Sequence, residues 1–339
     1  MSLGKTIRSL LGFGKHGFNR ALVARLKGER KGITPEHVTW AYRLFLDRDP
    51  ESEATVSANL RAWHTTRELR TSLMTSAEFR AKNPDLAYTN ERNVVIKELE
   101  NNTRLFIDLS DQVIGLGIVR GRYEQSEVEF VRRTVKPGQV VLDIGANIGF
   151  FTVTLATLVG PSGRVYAFEP LDHVADLLER SIHENQFQDR VILERAAVGQ
   201  TASSGKLVFV RETLNSGGAY LDTRGAGAPS GHELKEVPVV CLDSYPLQRP
   251  VSFIKVDVEG AELLALRGAR TVLETDRPAI LSEINPVQLE RVSGCSPDQF
   301  VSEIEEYGYH CHLLDHGSLT RKLPSPKSLD VVSVVFLPK

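Results

Sequence analysis

Three carboxylates are candidates to take a proton from a hydroxyl. Asp257 and Glu259 lie in the run Ile254-Lys255-Val256-Asp257-Val258-Glu259-Gly260-Ala261-Glu262, and Glu283 closes a later apolar run. A positioned base of this kind speeds proton loss by about 10²–10⁴-fold. His232 is a fourth candidate, within a glycine-rich stretch. The same carboxylates suit a hard divalent ion such as Mg²⁺ or Mn²⁺, which would act by lowering the hydroxyl pKa. Nothing in their spacing demands one, and no metal site is expected. Glu259 and Glu262 are three apart, on one face of the helix expected there. Glu262 is expected to serve structure, because acids in a first turn complement the helix dipole.

A second constellation is Asp143-x-Gly145-x-Asn147-x-Gly149, with Ala146 between the first two turn residues. A dinucleotide fingerprint would be G-x-G-x-x-G, which brings backbone against a pyrophosphate. Here Asp143 at the strand end would repel phosphate and suits a cationic ligand. Glu169-Pro170 ends the next strand, where an acid can accept both hydroxyls of a ribose diol. A helix N-cap carboxylate is the plainer use of Glu169. The small residues of Ala196-Ala197-Val198-Gly199 permit close approach of a flat base such as adenine. S-adenosylmethionine (SAM) has an adenosine, an ammonium and a sulfonium, and no phosphate.

The pattern D-x-G-x-N-x-G resembles the first motif of class I SAM-dependent methyltransferases. Asn147 in place of the usual middle glycine, and Ile254-Lys255-x-Asp257-x-Glu259-Gly260-x-Glu262, resemble the FkbM family. With Phe168-Glu169-Pro170 the likeness runs from about residue 123 to 309, departing only at Leu171-Asp172, where helix entry is affected. The resemblance implies an α/β, Rossmann-like, mostly parallel seven-stranded sheet with a reversed strand near the C-terminus. It implies SAM as cofactor, held by Asp143, Gly145, Ala146, Asn147, Gly149, Glu169, Pro170 and Ala197. It implies methyl transfer to a hydroxyl of a sugar, glycan or related metabolite, with Asp257, Glu259 and Glu283 facing that acceptor.

The elements that must position these residues follow from periodicity. Residues 140–144, 165–168, 191–194, 253–258, 279–284, 309–314 and 331–337 form apolar runs expected as sheet strands. Helices are expected between most of them, as in a parallel sheet. No helix separates the last two, which are expected to pair antiparallel. Residues 207–210 and 237–240 are expected as short flanking strands. They bracket the polar, glycine-rich residues 211–236, where Asn215-Ser216 are candidates for meeting the acceptor. His310-Cys311-His312 reads as plain strand, since alternation sends Cys311 to the face opposite both histidines.

Upstream, residues 32–90 are expected as a small all-α domain. Thr34-Pro35 starts a helix carrying Val38, Ala41, Tyr42 and Phe45, and Thr65-x-x-Glu68 is a capping box. Trp40 and Trp63 are expected in its core. The pattern Tyr42-Arg43-Leu44-Phe45-Leu46-x-Arg48-Asp49-Pro50 resembles a helical domain often attached to bacterial surface-glycan enzymes. Residues 91–136 are expected as linker and entry elements, with a helix at 91–100 and a loop at 115–117, ahead of the methyltransferase domain at 137–339.

The net charge of -2 gives no global attraction to nucleic acid, and none is expected as a partner. Residues 1–31 hold eight Lys/Arg against one acid, Glu29, a basic arm that suits an anionic membrane surface or an acidic partner in a complex; Gly12, Gly14 and Gly17 break its helix and favour the plainer reading, a frayed terminus with a solvated face. Three scattered cysteines, no long apolar span and no secretory leader pattern give cytoplasmic location as the expectation. Two other readings are a SAM-binding scaffold without turnover in a glycan-assembly complex and a nicotinamide oxidoreductase. The Asp257 run argues against the first, and the missing G-x-G-x-x-G against the second.

Overall fold

The computed structural model describes residues 32–339 apart from 90, 92, 101, 112, 122, 211–214 and 321–329. The basic arm at residues 1–31 lies outside the described residues. The chain divides into one unit of residues up to 97 with 107–119, and a second of residues 98–106 with 120–339. The expected linker at 91–136 is thus shared between the two units.

In the first unit, Thr34 caps the helix Pro35–Leu46. Its hydroxyl accepts the His37 amide while His37 Nδ1 accepts the Thr34 amide. The helices Glu53–Ala62, Thr66–Met74 and Ala77–Lys82 are capped by Ser52, Thr65 and Ser76, with Glu68 completing the expected box. Val38, Ala41, Tyr42, Phe45, Leu69, Leu73, Met74 and Phe79 form the buried core. Trp40 and Trp63 are only half-buried, and Arg43 stacks over Trp40, so the tryptophans do not supply the core as expected. Two further expectations fail. Residues 94–98 form a strand rather than a helix: β1 (Leu86–Tyr88) pairs antiparallel with β2 (Val94–Glu98), whose β-branched Val-Val-Ile run suits a pleated surface. The unit is therefore not purely helical. Residues 115–117 lie in the helix Ile114–Val119 rather than a loop, because Asp111 Oδ1 accepts the Val113 and Ile114 amides and starts it.

After β3 (Arg104–Asp108) and the helix Gln125–Thr134, the second unit builds its main sheet. Its strands are β4 (Val140–Ile144), β5 (Arg164–Phe168), β6 (Val191–Glu194), β11 (Val251–Val256), β12 (Ala279–Ile284), β13 (Tyr309–Asp315), β14 (Ser318–Thr320) and β15 (Val332–Pro338). The order is β14-β13-β15-β12-β11-β4-β5-β6. Strands β6, β5, β4, β11 and β12 run parallel, and β15 is antiparallel to both β12 and β13. This is the Rossmann-like arrangement with a reversed strand expected from the sequence. Short β14 adds an eighth strand at the edge. A separate small sheet joins β7 (Ala197–Val198), β8 (Ser203–Phe209), β9 (Tyr220–Leu221) and β10 (Glu233–Val240) in the order β7-β10-β8-β9.

Alternation along each strand feeds two cores. Leu142, Ile144, Phe168, Ile254 and Val256 pack with Leu263, Leu266, Leu289 and Phe300 of the later helices. Val141, Ala167, Phe253 and Leu281 pack on the other side with Val131, Phe151, Leu155 and Leu178. With both faces covered, β4 is buried throughout and β5, β11 and β12 nearly so, while edge strand β6 is part-exposed, and the C-terminal ends are where side chains can reach a ligand.

Candidate active site

Two turns meet at those ends. The first follows β4. Gly145 has φ 81° and Asn147 has φ 50°, and a Cβ on Gly145 would lie 2.0 Å from the Asp257 carbonyl oxygen. Only glycine permits that approach. The Gly145 and Ala146 amides both donate to the Phe168 carbonyl, which holds the turn against the end of β5. Gly149 then opens the helix Phe150–Val159 with φ 93°.

Glu169 braces this turn. Its Oε2 accepts the Asn147 amide at 2.9 Å and its Oε1 accepts the Leu171 amide at 2.8 Å. Burial pushes its carboxyl up to about 7 against the pull of those two amides. The helix Asp172–Glu184 has Leu171 at its N-cap and no side-chain cap, so Glu169 joins strand, turn and helix entry. Each carboxylate oxygen keeps a further acceptor site.

The second turn follows β11. The Asp257 amide donates to the Ile144 carbonyl, which ties it to β4. Glu259 has φ 50° and Gly260 φ 98°. Glu259 is thus not on the helix Glu262–Arg267, and the shared helical face expected for Glu259 and Glu262 does not form. Buried Glu262 Oε1 instead accepts the Val258 and Gly260 amides, at 3.0 and 3.2 Å. Burial raises its carboxyl to about 7, and its Oε2 has no hydrogen-bond partner. Its role is to hold the turn, as expected.

A cavity of about 60 Å³ lies between the two turns. Its lining includes Gly145, Asn147, Glu169, Pro170, Ala197, Asp257 and Glu259, which gathers seven expected site residues from four strand ends. Ser216, Gly217, Ala219, Tyr220 and Leu221 supply the facing wall. Ser216 Oγ donates to Asn147 Oδ1 at 3.1 Å, so this segment rests on the glycine turn. Tyr220 carries Arg291 over its ring, and Gln288 Nε2 donates to Glu259 Oε2 at 3.4 Å. Tyr220 was outside the expected set. Its only signal is an aromatic residue just after the Gly217-Gly218 pair.

Four expected residues are not in that lining. Ala146 and Gly149 shape the turn from behind, with Ala146 in the core. Glu283 is buried on β12 opposite Ser333 of β15. Asp143 is fully buried beneath the cavity. Its Oδ2 accepts the Thr152 hydroxyl at 2.6 Å, its Oδ1 has no hydrogen-bond partner, and Lys255 is its register neighbour on β11. Burial raises the Asp143 carboxyl, opposed by the Lys255 charge and the Thr152 bond. The strand tip expected to face a cation is therefore occupied by Ile144 and Gly145, and Asp143 stands one layer below. His232 sits beside the Ser230 carbonyl and is also absent from the lining. Among the described residues, no group of three or more His, Cys, Asp or Glu is placed to hold a metal ion.

Residues 143–311 match the family described as the methyltransferase FkbM domain. The chain is 28% identical to the hexuronic acid methyltransferase AglP of Haloferax volcanii, over 55% of this chain and 69% of that one. It is 30% identical to the 31-O-demethyl-FK506 methyltransferase FkbM of Streptomyces tacrolimicus, over 43% of this chain and 64% of that one. With the methyltransferase sdnD of Sordaria araneosa the identity is 29%, and the chain spans 59% of that relative's length. Among solved structures, the methyltransferase FkbM of Methylobacillus flagellatus aligns with a TM-score of 0.37 at 17% identity, covering 68% of this chain and 55% of that one.

Proposed function

We propose that this chain, which belongs to the FkbM family of methyltransferases through residues 143–311, moves a methyl group from SAM to a hydroxyl of a sugar, glycan or related metabolite. The observation that carries the reading is the convergence of Glu169, the Gly145–Asn147 backbone and Asp257 on one cavity. SAM, when bound, supplies an electrophilic methyl group with a neutral thioether as leaving group.

The chain's own residues supply the rest. Glu169 offers its remaining lone pairs to the ribose hydroxyls. Gly145, Ala146, Asn147 and Gly149 form the turn that lies against the nucleoside, and Asp143 supports it from below. Pro170 and Ala197 flank the space for the base. Asp257 takes the proton of the attacking hydroxyl, with Glu259 beside it orienting the acceptor. Alignment of oxygen and methyl carbon contributes the larger share of the rate.

Two observations support a sugar acceptor: the resemblance of the helical unit at 32–90 to domains of surface-glycan enzymes, and a relative named for a hexuronic acid. The test is incubation of the purified full chain with methyl-labelled SAM and fractionated cell glycans. Label in a base-stable ether of one fraction, with matching S-adenosylhomocysteine release, is the expected result. SAM binding with no release against any fraction would favour the scaffold reading.

A further inference from the structure

Lys255 is the one charge of the Ile254–Glu262 run to which neither the motif nor the cavity gives a task. It lies on β11, between β12 and β4 inside the sheet, and its side chain is 7% exposed. Three features fix its surroundings. Register sets it beside Asp143 on β4, so the two side chains share a face. Alternation along its own chain puts Asp257 on that face too, with Nζ 3.4 Å from Asp257 Oδ2. The helix Phe150–Val159 covers it with the ring of Phe151, 4.9 Å from Nζ. Other acids approach the group: Glu283 stands one position beyond the paired Val256 and Ser282, Glu124 acts on Asp143, and Glu262 is coupled to Asp257. The covering helix contributes Thr152 and no charge.

A buried ammonium is costly unless it is paired. The same holds for fully buried Asp143, and Asp257 is half-buried at the cavity edge, so the ammonium and the two carboxylates stabilise one another. Asp257 reaches the cavity and Lys255 does not. We propose that Lys255 is a positioning residue, the counter-charge that keeps Asp257 ionised and aimed into the cavity while neutralising Asp143 behind it. The proposal rests on Asp257 acting as the base in methyl transfer. It assigns Lys255 no contact with donor or acceptor.

An opposite charge at this range lowers a carboxyl pKa by about 1–3 units. Removing it should raise the Asp257 pKa by that amount. The first measurement needs no acceptor: carboxyl-carbon NMR titration of Asp257 in the full chain, in wild type, Lys255→Met and Lys255→Arg. We expect an upward shift of about one unit or more in Lys255→Met and a near wild-type value in Lys255→Arg. An unmoved Asp257 titration overturns the proposal. Lys255→Gln replaces Lys255→Met should the latter fail to fold. The second measurement is turnover. By loosening the aim of Asp257, Lys255→Met should lower kcat about tenfold or more, move the acid limb of its pH profile upward, and leave KM and SAM affinity within about threefold. Combined with Asp257→Asn, it should add no further loss. Additive losses overturn the proposal. Full turnover in Asp257→Asn overturns the base reading instead, and the NMR shift separates the two failures.

Discussion

The turn after β4 and the turn after β11 are built alike and present different groups to the cavity. Each places a non-glycine residue in the left-handed region, Asn147 at φ 50° and Glu259 at φ 50°, and a glycine soon after, Gly149 at φ 93° and Gly260 at φ 98°. Each is braced by a buried glutamate that accepts amides of the turn, Glu169 in the first and Glu262 in the second. The difference lies in what faces the cavity. The first turn presents backbone and the amide side chain of Asn147. The second presents the carboxylates of Asp257 and Glu259. A neutral backbone surface suits recognition of a nucleoside, and an ionised side chain suits proton removal. The two braces differ in the same sense, since Glu169 lines the cavity and Glu262 does not.

The sharpest way to break this division is to neutralise the second turn. Asp257→Asn should lower turnover by about 10²–10⁴-fold, the usual loss for a missing base. Affinity for SAM, measured by calorimetry, should stay within a few fold. A matching loss of SAM affinity would make Asp257 a donor-binding group and erase the distinction. Damage to the first turn should have the opposite profile. In Gly145→Ala the new Cβ meets the Asp257 carbonyl oxygen at 2.0 Å, a backbone atom that cannot swing aside. With the left-handed φ as well, we expect a loss of roughly 1–3 kcal/mol in stability and a fall of about tenfold or more in SAM affinity. Chemical denaturation and calorimetry measure both.

Much of this pairing was legible from local pattern. Asp143-x-Gly145-x-Asn147-x-Gly149 and Asp257-x-Glu259-Gly260 carry their turn chemistry in their own residues, and the strands before them are short apolar runs. What was not legible depends on distance along the chain. That Asp143 faces Lys255 follows from β4 pairing with β11, a register across more than a hundred residues that no local period records. That covered face turns Asp143 away from the cavity, so a strand-tip carboxylate read as ligand-facing lies beneath it. The rest of Ser216 on Asn147 joins a loop to a turn 69 positions away. Residues 94–98 carry a short apolar run, which has no period long enough to separate helix from strand.

Glu169 offers a finer test, because its titration falls in an accessible range. Its folded carboxyl titrates at about 7, above the ordinary value of 4.5, so the carboxylate is fully formed only above that pH. If the ribose hydroxyls need it as acceptor, SAM affinity should rise between pH 6 and 8 in wild type by about tenfold or less. Glu169→Gln should bind SAM weakly and with no such rise. A pH-dependence that survives in Glu169→Gln would reassign the titration to another group and leave Glu169 with only its bracing role.

The smallest effect concerns the brace that does not reach the cavity. Glu262 also titrates at about 7 in the folded chain, with burial as the leading cause, against an ordinary 4.5. A folded pKa raised in this way favours the fold at low pH. That contribution is full below about 4.5 and is lost as pH climbs through about 7. Glu262→Gln mimics the protonated acid: its side-chain oxygen still accepts the Val258 and Gly260 amides, and nothing ionises. Relative to wild type, the variant should therefore gain stability between pH 5 and 8, by about 1–2 kcal/mol, in urea unfolding at a series of pH values. SAM affinity should not change. A variant that instead loses stability as pH rises would mean that ionised Glu262 is stabilised by a partner. The two braces would then differ in charge state as well as in what they face.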